Sequence, residues 1–429
     1  MKTETLQATY LIETPLDPGA VAEVLAGEQS SGTFVRVAGE SDALRARSRA
    51  TVDSFEELEA LAAPSLPSSW LQRHHPQGPW RRARVTVSFP LANIGRNLPA
   101  MAATVAGNLY DLGESTGVRL QHLRIPASFR DCFERPRQGV AGTRVSTGVR
   151  DGPLVGTIIK PNVGLSSSET ASLVADLCHA GVDFIKDDEC CADPVHAPVA
   201  ERIRAVMTEV RRHRDATGKQ VMVAFHISDE HDAMLRHAEL VQREQGSCVM
   251  VSLNWVGLSS LQALRRHTDL AIHGHRNGYG MLSRHPALGM DFQPYAMLWR
   301  LAGVDHMHVH GLGGKFAQDD DEVVRSARDC LKPLVDGAGS ADSADVVMPA
   351  FSSGQWAGTL APTLDAVPSA DLMFMCGGGI LAHPMGPAAG VSSVRQAWTA
   401  WQQGQPLVAA ARDQPELQAA LATFGAGRR

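Results

Sequence analysis

After Pro153 the chain alternates short apolar segments, many of them β-branched, with longer helical stretches. This alternation is typical of βα units, in which parallel strands are joined by helices. Eight segments have the composition of strands: 154–159, 182–186, 221–226, 249–253, 270–273, 305–309, 344–351 and 371–376. Eight such units predict a closed (β/α)8 TIM barrel, a fold that places its chemistry at the carboxyl ends of the strands.

The chain has 429 residues, more than one barrel requires, so a second domain is expected. Before the barrel, strand-like and helical segments are mixed, which predicts a smaller α+β, ferredoxin-like N-terminal domain. Its strand candidates are 8–12, 34–38 and 84–89, and its helix candidates are 19–26, 54–62 and 97–108. Glycines and a proline after this region indicate a linker. The expected order is N-terminal domain 1–140, linker 141–152, barrel 153–407 and C-terminal helical extension 408–429.

Charge and composition exclude several classes of partner. The net charge is -6 and the pI is near 6.3, so no basic surface attracts nucleic acid or an anionic membrane. No apolar run resembles a signal peptide or is long enough to span a bilayer, which predicts a cytoplasmic protein with small-molecule partners. Seven cysteines without C-x-x-C spacing, two of them adjacent, indicate reduced thiols rather than disulfides.

The second predicted barrel strand ends in one amine and three carboxylates, at Lys186, Asp187, Asp188 and Glu189. Because side chains alternate along a strand, Lys186 and Asp188 are expected on one side, and Glu189 can swing in where the strand ends. Carboxylate oxygens suit Mg2+, and a neutral lysine amine can add CO2 and become a carbamate, a third anionic oxygen ligand. The alternative is a solvated charge cluster at the end of a strand.

Polar residues follow most of the other predicted strands, which favours the metal site. They are Lys160 and Asn162, His226 and Ser228, His275 and Arg276, His308, His310 and Lys315, Ser352, Ser353 and Gly354, and Gly377, Gly378 and Gly379. Since the carboxyl ends of barrel strands share one mouth, we expect these groups to converge there. The glycines after the last two strands permit close approach of a phosphate, and a flexible turn is the alternative.

Two further patterns invite a metal interpretation. His306, His308 and His310 alternate, so all three could face one side of a strand and bind zinc. Because the carboxylate site already accounts for a metal, we prefer a hydrogen bond from His308 to a substrate phosphate or hydroxyl. The acidic run 319–322 is interpreted as the start of a helix, where negative charge complements the helix dipole.

Three stretches carry a resemblance to a known family. They read Gly-Thr-Ile-Ile-Lys-Pro at 156–161, Gly-Leu-Ser at 164–166 and Phe-Ile-Lys-Asp-Asp-Glu at 184–189. In this order they resemble the large chain of ribulose-bisphosphate carboxylase (RuBisCO). The resemblance extends over nearly the whole chain, to Glu28, Gly32, Thr33, Gly107, Asn108, His275, Arg276, Asp305, His306, His308, Lys315, Ser352, Gly377, Gly378 and Gly379.

The resemblance implies that Lys186 is a carbamylated lysine that binds Mg2+ together with Asp188 and Glu189. Lys160 would be the base for enolisation, and a structural ion pair across the barrel is the alternative for this residue. Lys315 would lie on a mobile loop over the substrate. A catalytic role is also implied for one histidine, His275.

Substrate contacts are implied for a further set of residues: Glu28, Thr33, Asn108, Arg276, His308, Ser352, Gly354, Gly377 and Gly378. Within this set, Asn108 would lie near the metal and Arg276 would hold a phosphate. Glu28 and Thr33 would reach the site from a partner subunit, which implies a homodimer or a higher oligomer of dimers.

The sequence also departs from the family pattern. The second lysine after Lys-Pro is Asn162, the first glycine of the Ser-Gly-Gly phosphate turn is Ser353, the tryptophan after Gly-Thr is Phe34, and a histidine is replaced by Tyr279. The loop before Lys315 differs as well. Enolisation needs a metal and a base, which are retained, whereas CO2 capture and product cleavage need groups that have changed. The chain therefore resembles a RuBisCO-like protein of the form IV type rather than a CO2-fixing enzyme.

We accordingly expect a Mg2+-dependent enzyme that enolises a phosphorylated keto-sugar or sugar acid, because Mg2+ stabilises the developing enolate charge and a lysine can move the proton. Isomerisation, tautomerisation or decarboxylation of a 3-oxo acid phosphate would follow. Degradation of acid sugars is preferred to salvage of methylthio-sugar phosphates. Two alternatives stay open: a catalytically silent protein that binds a phosphometabolite, and a genuine ribulose-bisphosphate carboxylase.

Overall fold

The computed structural model describes residues 4–32, 37–335 and 344–425. The chain forms two compact units. Unit 1 comprises residues 1–134, 278–302 and 333–342, and unit 2 comprises residues 135–277, 303–332 and 343–429. Strands and helices are numbered below in chain order. Most of the predicted strand at 34–38 lies outside the described residues.

Unit 1 contains a five-stranded sheet. Its strands are β1 (Thr5–Thr14), β2 (Thr51–Leu61), β3 (Trp80–Pro90), β4 (Gly117–Arg124) and β10 (Leu288–Met290). Its helices are α1 (Pro18–Glu28), α2 (Asp42–Ser48), α3 (Ser69–His74), α4 (Leu91–Ile94), α5 (Leu98–Ala106), α6 (Ala127–Arg130), α12 (Tyr279–Ser283) and α13 (Phe292–Leu301). The strand order is β10-β4-β1-β3-β2, with β10 parallel to β4 and the other pairs antiparallel, so the sheet is mixed.

One predicted element of unit 1 is wrong. The segment 54–62 was expected to be a helix, but it lies in β2, which pairs with β3 at the edge of the sheet. Most of β2 is exposed, so its acidic residues stay in water, and Arg84 lies across from Glu56 at 2.5 Å. Pairing with a neighbouring strand outweighs the helical propensity of such a segment, because strand preference depends strongly on cross-strand contacts.

Unit 2 is a closed barrel of eight parallel strands. The strands are β5 (Leu154–Ile158), β6 (Phe184–Lys186), β7 (Met222–His226), β8 (Cys248–Ser252), β9 (Ala271–His275), β11 (His306–His308), β12 (Met348–Phe351) and β13 (Met373–Met375). The helices are α7 (Gly139–Thr147), α8 (Ser167–Ala180), α9 (Val199–Thr217), α10 (His231–Arg243), α11 (Leu253–His267), α14 (Asp320–Cys330), α15 (Ala357–Ala366), α16 (Gly377–Leu381), α17 (Pro387–Gln402), α18 (Leu407–Ala410) and α19 (Pro415–Phe424). The predicted TIM barrel is confirmed, and each predicted strand overlaps an observed one.

The barrel interior is a packed apolar core rather than a channel. Side chains from alternating strand positions fill it, and they are completely buried: Leu154, Phe184, Met222, Ala224, Cys248, Met250, Ala271, Met348, Ala350, Met373 and Met375. Burial of these side chains closes the barrel, because the free energy gained grows with the apolar area removed from water. Polar side chains are then concentrated where the strands end.

The sequence between β9 and β11 is not a simple barrel helix. It supplies α12, β10 and α13 to unit 1, where β10 pairs with β4. Arg119 of β4 holds this segment, since its Nε donates to Asp291 at 2.7 Å and its guanidinium reaches the carbonyl oxygen of Leu288 at 3.0 Å. A three-residue strand such as β10 gives almost no sequence signal, and it was not predicted.

Two expectations from composition can be compared directly with the structure. No described helix combines the length and apolar character that crossing a bilayer requires. All seven cysteines are free thiols, as predicted. Helices α18 and α19 lie in the region expected to form a C-terminal helical extension, and the predicted domain limits themselves stay predictions.

A buried ion pair lies beside the end of β6. The Asp187 carboxylate accepts hydrogen bonds from Arg202 Nε at 3.2 Å and from the backbone N–H of His226 at 3.0 Å, and both charged side chains are buried. Arg202, on α9, also donates to the carbonyl oxygens of Ala192 and Ala197, each at 2.6 Å. The pair therefore ties the loop after β6 to α9 and to the neighbouring strand β7.

Replacing Arg202 should destabilise the chain strongly. Arg202→Met leaves the buried Asp187 carboxylate without its cation, so we expect the free energy of unfolding in urea to fall by about 3–5 kcal/mol. Arg204→Met is the matched control, because Arg204 lies on the same helix with its side chain exposed. An equal, small effect of both substitutions would contradict the structural role given to Arg202.

Candidate active site

The predicted site residues of unit 2 lie at the carboxyl ends of its strands. Lys186 is the last residue of β6, His275 the last of β9 and His308 the last of β11, while Lys160 lies just beyond β5. Carboxyl ends of parallel barrel strands open on one face. The structure therefore brings these four side chains to the same mouth of the barrel.

Two lysines and two carboxylates are paired at this mouth. Lys160 Nζ donates to Asp188 Oδ2 at 2.7 Å, and Lys186 Nζ donates to Glu189 Oε2 at 3.3 Å. Lys160 Nζ also donates to Asn162 Oδ1 at 2.6 Å. Asp187 is not part of this group, since its carboxylate contacts Arg202 instead. Alternation along the strand explains this division, as adjacent side chains point to opposite sides.

Lys186 has an unusual environment for a lysine. Its side chain is only 1% exposed, and burial lowers the pKa of its amine, against the opposing effect of the negative charges of Glu189, Asp188 and Asp187. Desolvation favours the neutral form of an amine. Burial alone would raise the pKa of Glu189, but the positive charge of Lys186 and, once His275 is protonated in acid, that of His275 outweigh it and lower that pKa to about 2. Glu189 is therefore a carboxylate at neutral pH.

Histidines line the barrel next to this group. His275 Nε2 lies 3.5 Å from Glu189 Oε2, the rings of His275 and His308 are 4.4 Å apart, and His308 Nδ1 lies 3.1 Å from Ser352 Oγ. Burial, with a smaller contribution from the positive charge of Lys186, lowers the pKa of His275 to about 3. Burial also lowers the pKa of His308. Both imidazoles are neutral at physiological pH, so they are hydrogen-bonding groups rather than cations.

The zinc alternative is not supported by the arrangement of the three alternating histidines. His306 Nε2 lies 2.7 Å from Thr143 Oγ1, and His308 packs against His275 instead. Within residues 4–32, 37–335 and 344–425, the group of His, Cys, Asp or Glu with ligand atoms mutually within 4.8 Å is a different one: Asp193, Asp229 and His237.

The remaining predicted residues of unit 2 also lie in the segments that follow barrel strands. Arg276 donates to Gln318 Oε1 at 2.5 Å, and Lys315 is exposed on the loop after β11. Ser352 and Gly354 follow β12 directly, and Gly377 and Gly378 open α16. A Cβ on Gly377 would lie 4.0 Å from Lys160 Cε, so this glycine lies beside Lys160.

Three predicted site residues do not belong to unit 2. Glu28 ends α1 and Asn108 begins a short 3-10 helix, both in unit 1. Thr33 lies outside the described residues. The partner-subunit role of Glu28 and Thr33 and the position of Asn108 near a metal stay predictions.

Sequence reasoning missed several neutral residues that contact the predicted lysines. Asn162 accepts from Lys160, and Ser353 accepts from the backbone N–H of Lys315 at 3.2 Å. The sequence analysis placed both at strand ends and noted that they depart from the RuBisCO pattern, but it gave neither a role in the site. Gln318 accepts a hydrogen bond from Arg276, and Gln355 donates one to the Leu312 carbonyl in the Lys315 loop. No pattern in the sequence pointed to either residue.

Comparison with known proteins decides the family. The profile of the ribulose bisphosphate carboxylase large chain, catalytic domain, matches residues 139–424, and the profile of its N-terminal domain matches residues 2–129. The chain belongs to the RuBisCO large-chain family. This assignment confirms the resemblance found in the sequence.

Proteins similar to this chain include a RuBisCO-like protein and two enzymes named for 3-oxo-isoapionate-4-phosphate. A rubisco-like protein from Burkholderia fungorum, known from a crystal structure, is 67% identical with a TM-score of 0.93, over 98% of this chain and 100% of that one. A 3-oxo-isoapionate-4-phosphate transcarboxylase/hydrolase from Xanthobacter autotrophicus is 46% identical over 98% of this chain and 99% of its own. A 3-oxo-isoapionate-4-phosphate decarboxylase from Rhizobium rhizogenes is 40% identical over 99% of both chains.

The RuBisCO family implies Mg2+ and a carbamylated lysine, and the donor set fits both. Asp188 and Glu189 offer carboxylate oxygens, the ligand type that Mg2+ requires. The Lys186 amine is buried with a lowered pKa, so its neutral form is available to react with CO2. The carbamate would turn this amine into a third oxygen donor beside Glu189.

Acid should destabilise the chain through its buried histidines. Burial lowers the pKa of His306 from 6.5 to about 3, so below pH 6.5 the unfolded chain binds a proton that the folded chain does not. Each such histidine should lower the free energy of unfolding by about 1.4 kcal/mol per pH unit as the pH falls from 6.5 toward 3. We expect His306→Asn to reduce this slope in urea denaturation, and His231→Asn, at the exposed start of α10, to leave it unchanged. Equal slopes for all three proteins would contradict the prediction.

Proposed function

We propose that the chain catalyses Mg2+-dependent loss of CO2 from a phosphorylated 3-oxo sugar acid of the 3-oxo-isoapionate-4-phosphate type. Relatives named for this substrate support the substrate class. The contacts of Lys160 support the reaction, because they suit a lysine that delivers a proton. CO2 fixation is not part of the proposal, since Asn162 replaces a lysine of the carboxylase pattern.

The reaction begins with the carbon–carbon bond between the carboxylate and the carbon next to the ketone. When this bond breaks, CO2 leaves and the electron pair forms an enolate. Mg2+ would be held by the carbamate of Lys186 and by the carboxylates of Asp188 and Glu189. Its positive charge would stabilise the developing oxyanion. The enolate carbon then has to take up one proton to give the ketone product.

In this proposal Lys160 gives that proton. Its Nζ donates to two oxygens, Asp188 Oδ2 at 2.7 Å and Asn162 Oδ1 at 2.6 Å, and these two contacts hold the amine in position. This direction of transfer is the reverse of the base role implied by the family resemblance. The side chain of Lys160 is 39% exposed, so the neutral amine can recover a proton from water after each turnover. Asn162 accepts a hydrogen bond from Lys160, whereas a second lysine in its place would offer only donors.

The other groups bind and orient the substrate. Arg276 and Lys315 offer positive charge to the phosphate, and Arg276 can hold it by two parallel hydrogen bonds. The neutral imidazoles of His275 and His308 can contact hydroxyl groups without adding charge. The backbone at Gly377 and Gly378 leaves room for a phosphate, because these glycines carry no side chain.

A transcarboxylase/hydrolase reaction is the second candidate. It is favoured by one observation, the higher identity of 46% to the relative named for it, against 40% to the decarboxylase. In that reaction the carboxyl group is retained in a product instead of leaving as CO2. Analysis of the products from one labelled substrate therefore separates the two candidates.

Incubation with 3-oxo-isoapionate-4-phosphate and Mg2+ should release CO2, and in D2O the ketone product should carry one deuterium at the former carboxyl-bearing carbon. We expect Lys160→Met to lower kcat by about 100-fold or more, the usual size of a lost acid–base group. Lys332→Met, at an exposed lysine after α14, is the control. A folded wild-type protein that binds this substrate and releases neither CO2 nor hydrolysis products would instead favour a silent binding protein.

Mg2+ binding should depend on the two carboxylates and on CO2. Titration calorimetry is expected to show Mg2+ binding to the wild type that strengthens with added bicarbonate, because the carbamate of Lys186 adds a ligand. Glu189→Gln should weaken binding by about 10-fold or more, and Glu201→Gln, on the exposed side of α9, should not. If neither bicarbonate nor Glu189→Gln changes the affinity for Mg2+, the metal binds at a different site.

We also propose a homodimer as the functional unit, with Glu28 and Thr33 supplied by the partner. Light scattering coupled to size exclusion measures the assembly. In a mixture of Lys160→Met and Glu28→Gln proteins, partial recovery of activity would indicate that the two residues act from different subunits.

A further inference from the structure

The loop that carries Lys315 lies against the turn that follows β12. The hydrogen bonding between β11 and β12 continues past both strands, since Val309 N–H donates to the carbonyl of Ala350 and Ser352 N–H to the carbonyl of His310, each at 3.1 Å. The loop and the turn therefore begin side by side, and both lie in unit 2.

Ser353 adopts an unfavourable backbone conformation in this turn. Its φ is 71°, in the left-handed region that glycine adopts without a steric penalty. Within the described ranges, the non-glycine residues with positive φ are His75, Gln245, His310 and Ser353, so two of these four flank the Lys315 loop. Strained residues persist where surrounding contacts hold them, and they are frequent at functional sites.

The serine side chain makes a contact that glycine cannot make. Ser353 Oγ accepts a hydrogen bond from the backbone N–H of Lys315 at 3.2 Å. Gln355 supports the same arrangement, because its Nε2 donates to the carbonyl oxygens of Ser353 at 3.1 Å and Leu312 at 3.3 Å. The side chain of Ser353 is thus the group that fixes the loop at the lysine itself.

The loop can approach this closely only because it contains glycines. A Cβ on Gly311 would lie 2.5 Å from the Ser352 carbonyl oxygen, and one on Gly314 would lie 3.2 Å from Ser353 Oγ and 2.7 Å from the Gly311 carbonyl oxygen. The first and last of these distances are shorter than a carbon–oxygen contact allows. The sequence of the loop is therefore matched to the turn that it contacts.

We propose that Ser353 is a positioning residue for Lys315, and that its hydroxyl holds the loop so that the ammonium can bind an anionic group of the substrate. The Lys315 side chain is exposed and extends past Phe316, with Nζ 5.3 Å from the ring centroid. Fixing its backbone before substrate arrives removes part of the ordering cost of binding. The identity of the anion rests on the proposed function, but the contact between Ser353 and the loop does not.

Ser353→Gly and Ser353→Ala together separate positioning from a purely structural role. Both remove the hydroxyl, but only glycine relieves the positive φ, so Ser353→Gly should be at least as stable in urea as the wild type, and more stable than Ser353→Ala. We nevertheless expect both to raise KM and to lower kcat/KM by about three- to ten-fold, the effect of one hydrogen bond. If activity instead follows stability, with Ser353→Gly as active as the wild type, the proposal is overturned.

Native-state trypsin cleavage after Lys315 gives a readout that needs no substrate. Both variants should be cut faster at the Lys315–Phe316 bond than the wild type, with the rates at other sites unchanged. Gln245→Gly is the matched control, because Gln245 also has a positive φ, of 63°, and lies elsewhere in unit 2. Wild-type cleavage rates in both Ser353 variants would overturn the proposal, even if the substrate assignment is correct.

A Lys315→Ala background completes the test. If Ser353 acts through Lys315, Ser353→Ala should have no further effect on kcat/KM in that background. An undiminished effect would show that the serine acts on something else. Faster cleavage at Lys315 with no turnover of 3-oxo-isoapionate-4-phosphate would overturn the proposed substrate while supporting the role of Ser353 in holding the loop.

Discussion

The candidate active site depends on one constraint, the burial of the Lys186 amine at the end of β6. A buried ammonium is costly unless carboxylates surround it, and burial shifts the equilibrium toward the neutral amine. Burial lowers the pKa of this amine, and the negative charges of Glu189 and Asp188 oppose that shift. A surface lysine would remain protonated and could not readily become a carbamate. The proposed carbamylation of Lys186 thus depends on the place where the strand ends.

Buried carboxylates hold the strands in the positions that the site requires. Asp183 accepts from the N–H of Val155, Asp187 from that of His226, and Asp305 from that of Ile272, so each ties one strand to its neighbour. Each of the three also has a positively charged partner: Lys219 and Arg395 for Asp183, Arg202 for Asp187 and Arg265 for Asp305. Such pairs add little stability over an apolar core, but they fix geometry, since an unpaired charge in the same place is strongly unfavourable.

The sequence was informative where one strong physical signal dominates. Alternating apolar segments located all eight barrel strands, and the acidic run at 319–322 begins α14, with Asp319 capping the Glu322 N–H at 2.7 Å. Prediction from the sequence failed where pairing between distant segments determines the secondary structure. β2 has the composition of a helix, and β10 is only three residues long. The contacts of Gln318 and Gln355 join residues far apart in the chain, and no local pattern announces them.

Two of the departures from the RuBisCO pattern fall on residues that contact its lysines. Lys160 and Lys315 are retained, while the neutral residues that contact them, Asn162 and Ser353, are the ones that differ. An ammonium group is useful in many reactions, but its position and protonation state decide which one it serves. Changing a neighbour adjusts the position without removing the amine. A single barrel can in this way keep its cations and metal ligands while the substrate and the direction of proton transfer change, because specificity is set by contacts around the reactive groups as much as by those groups themselves.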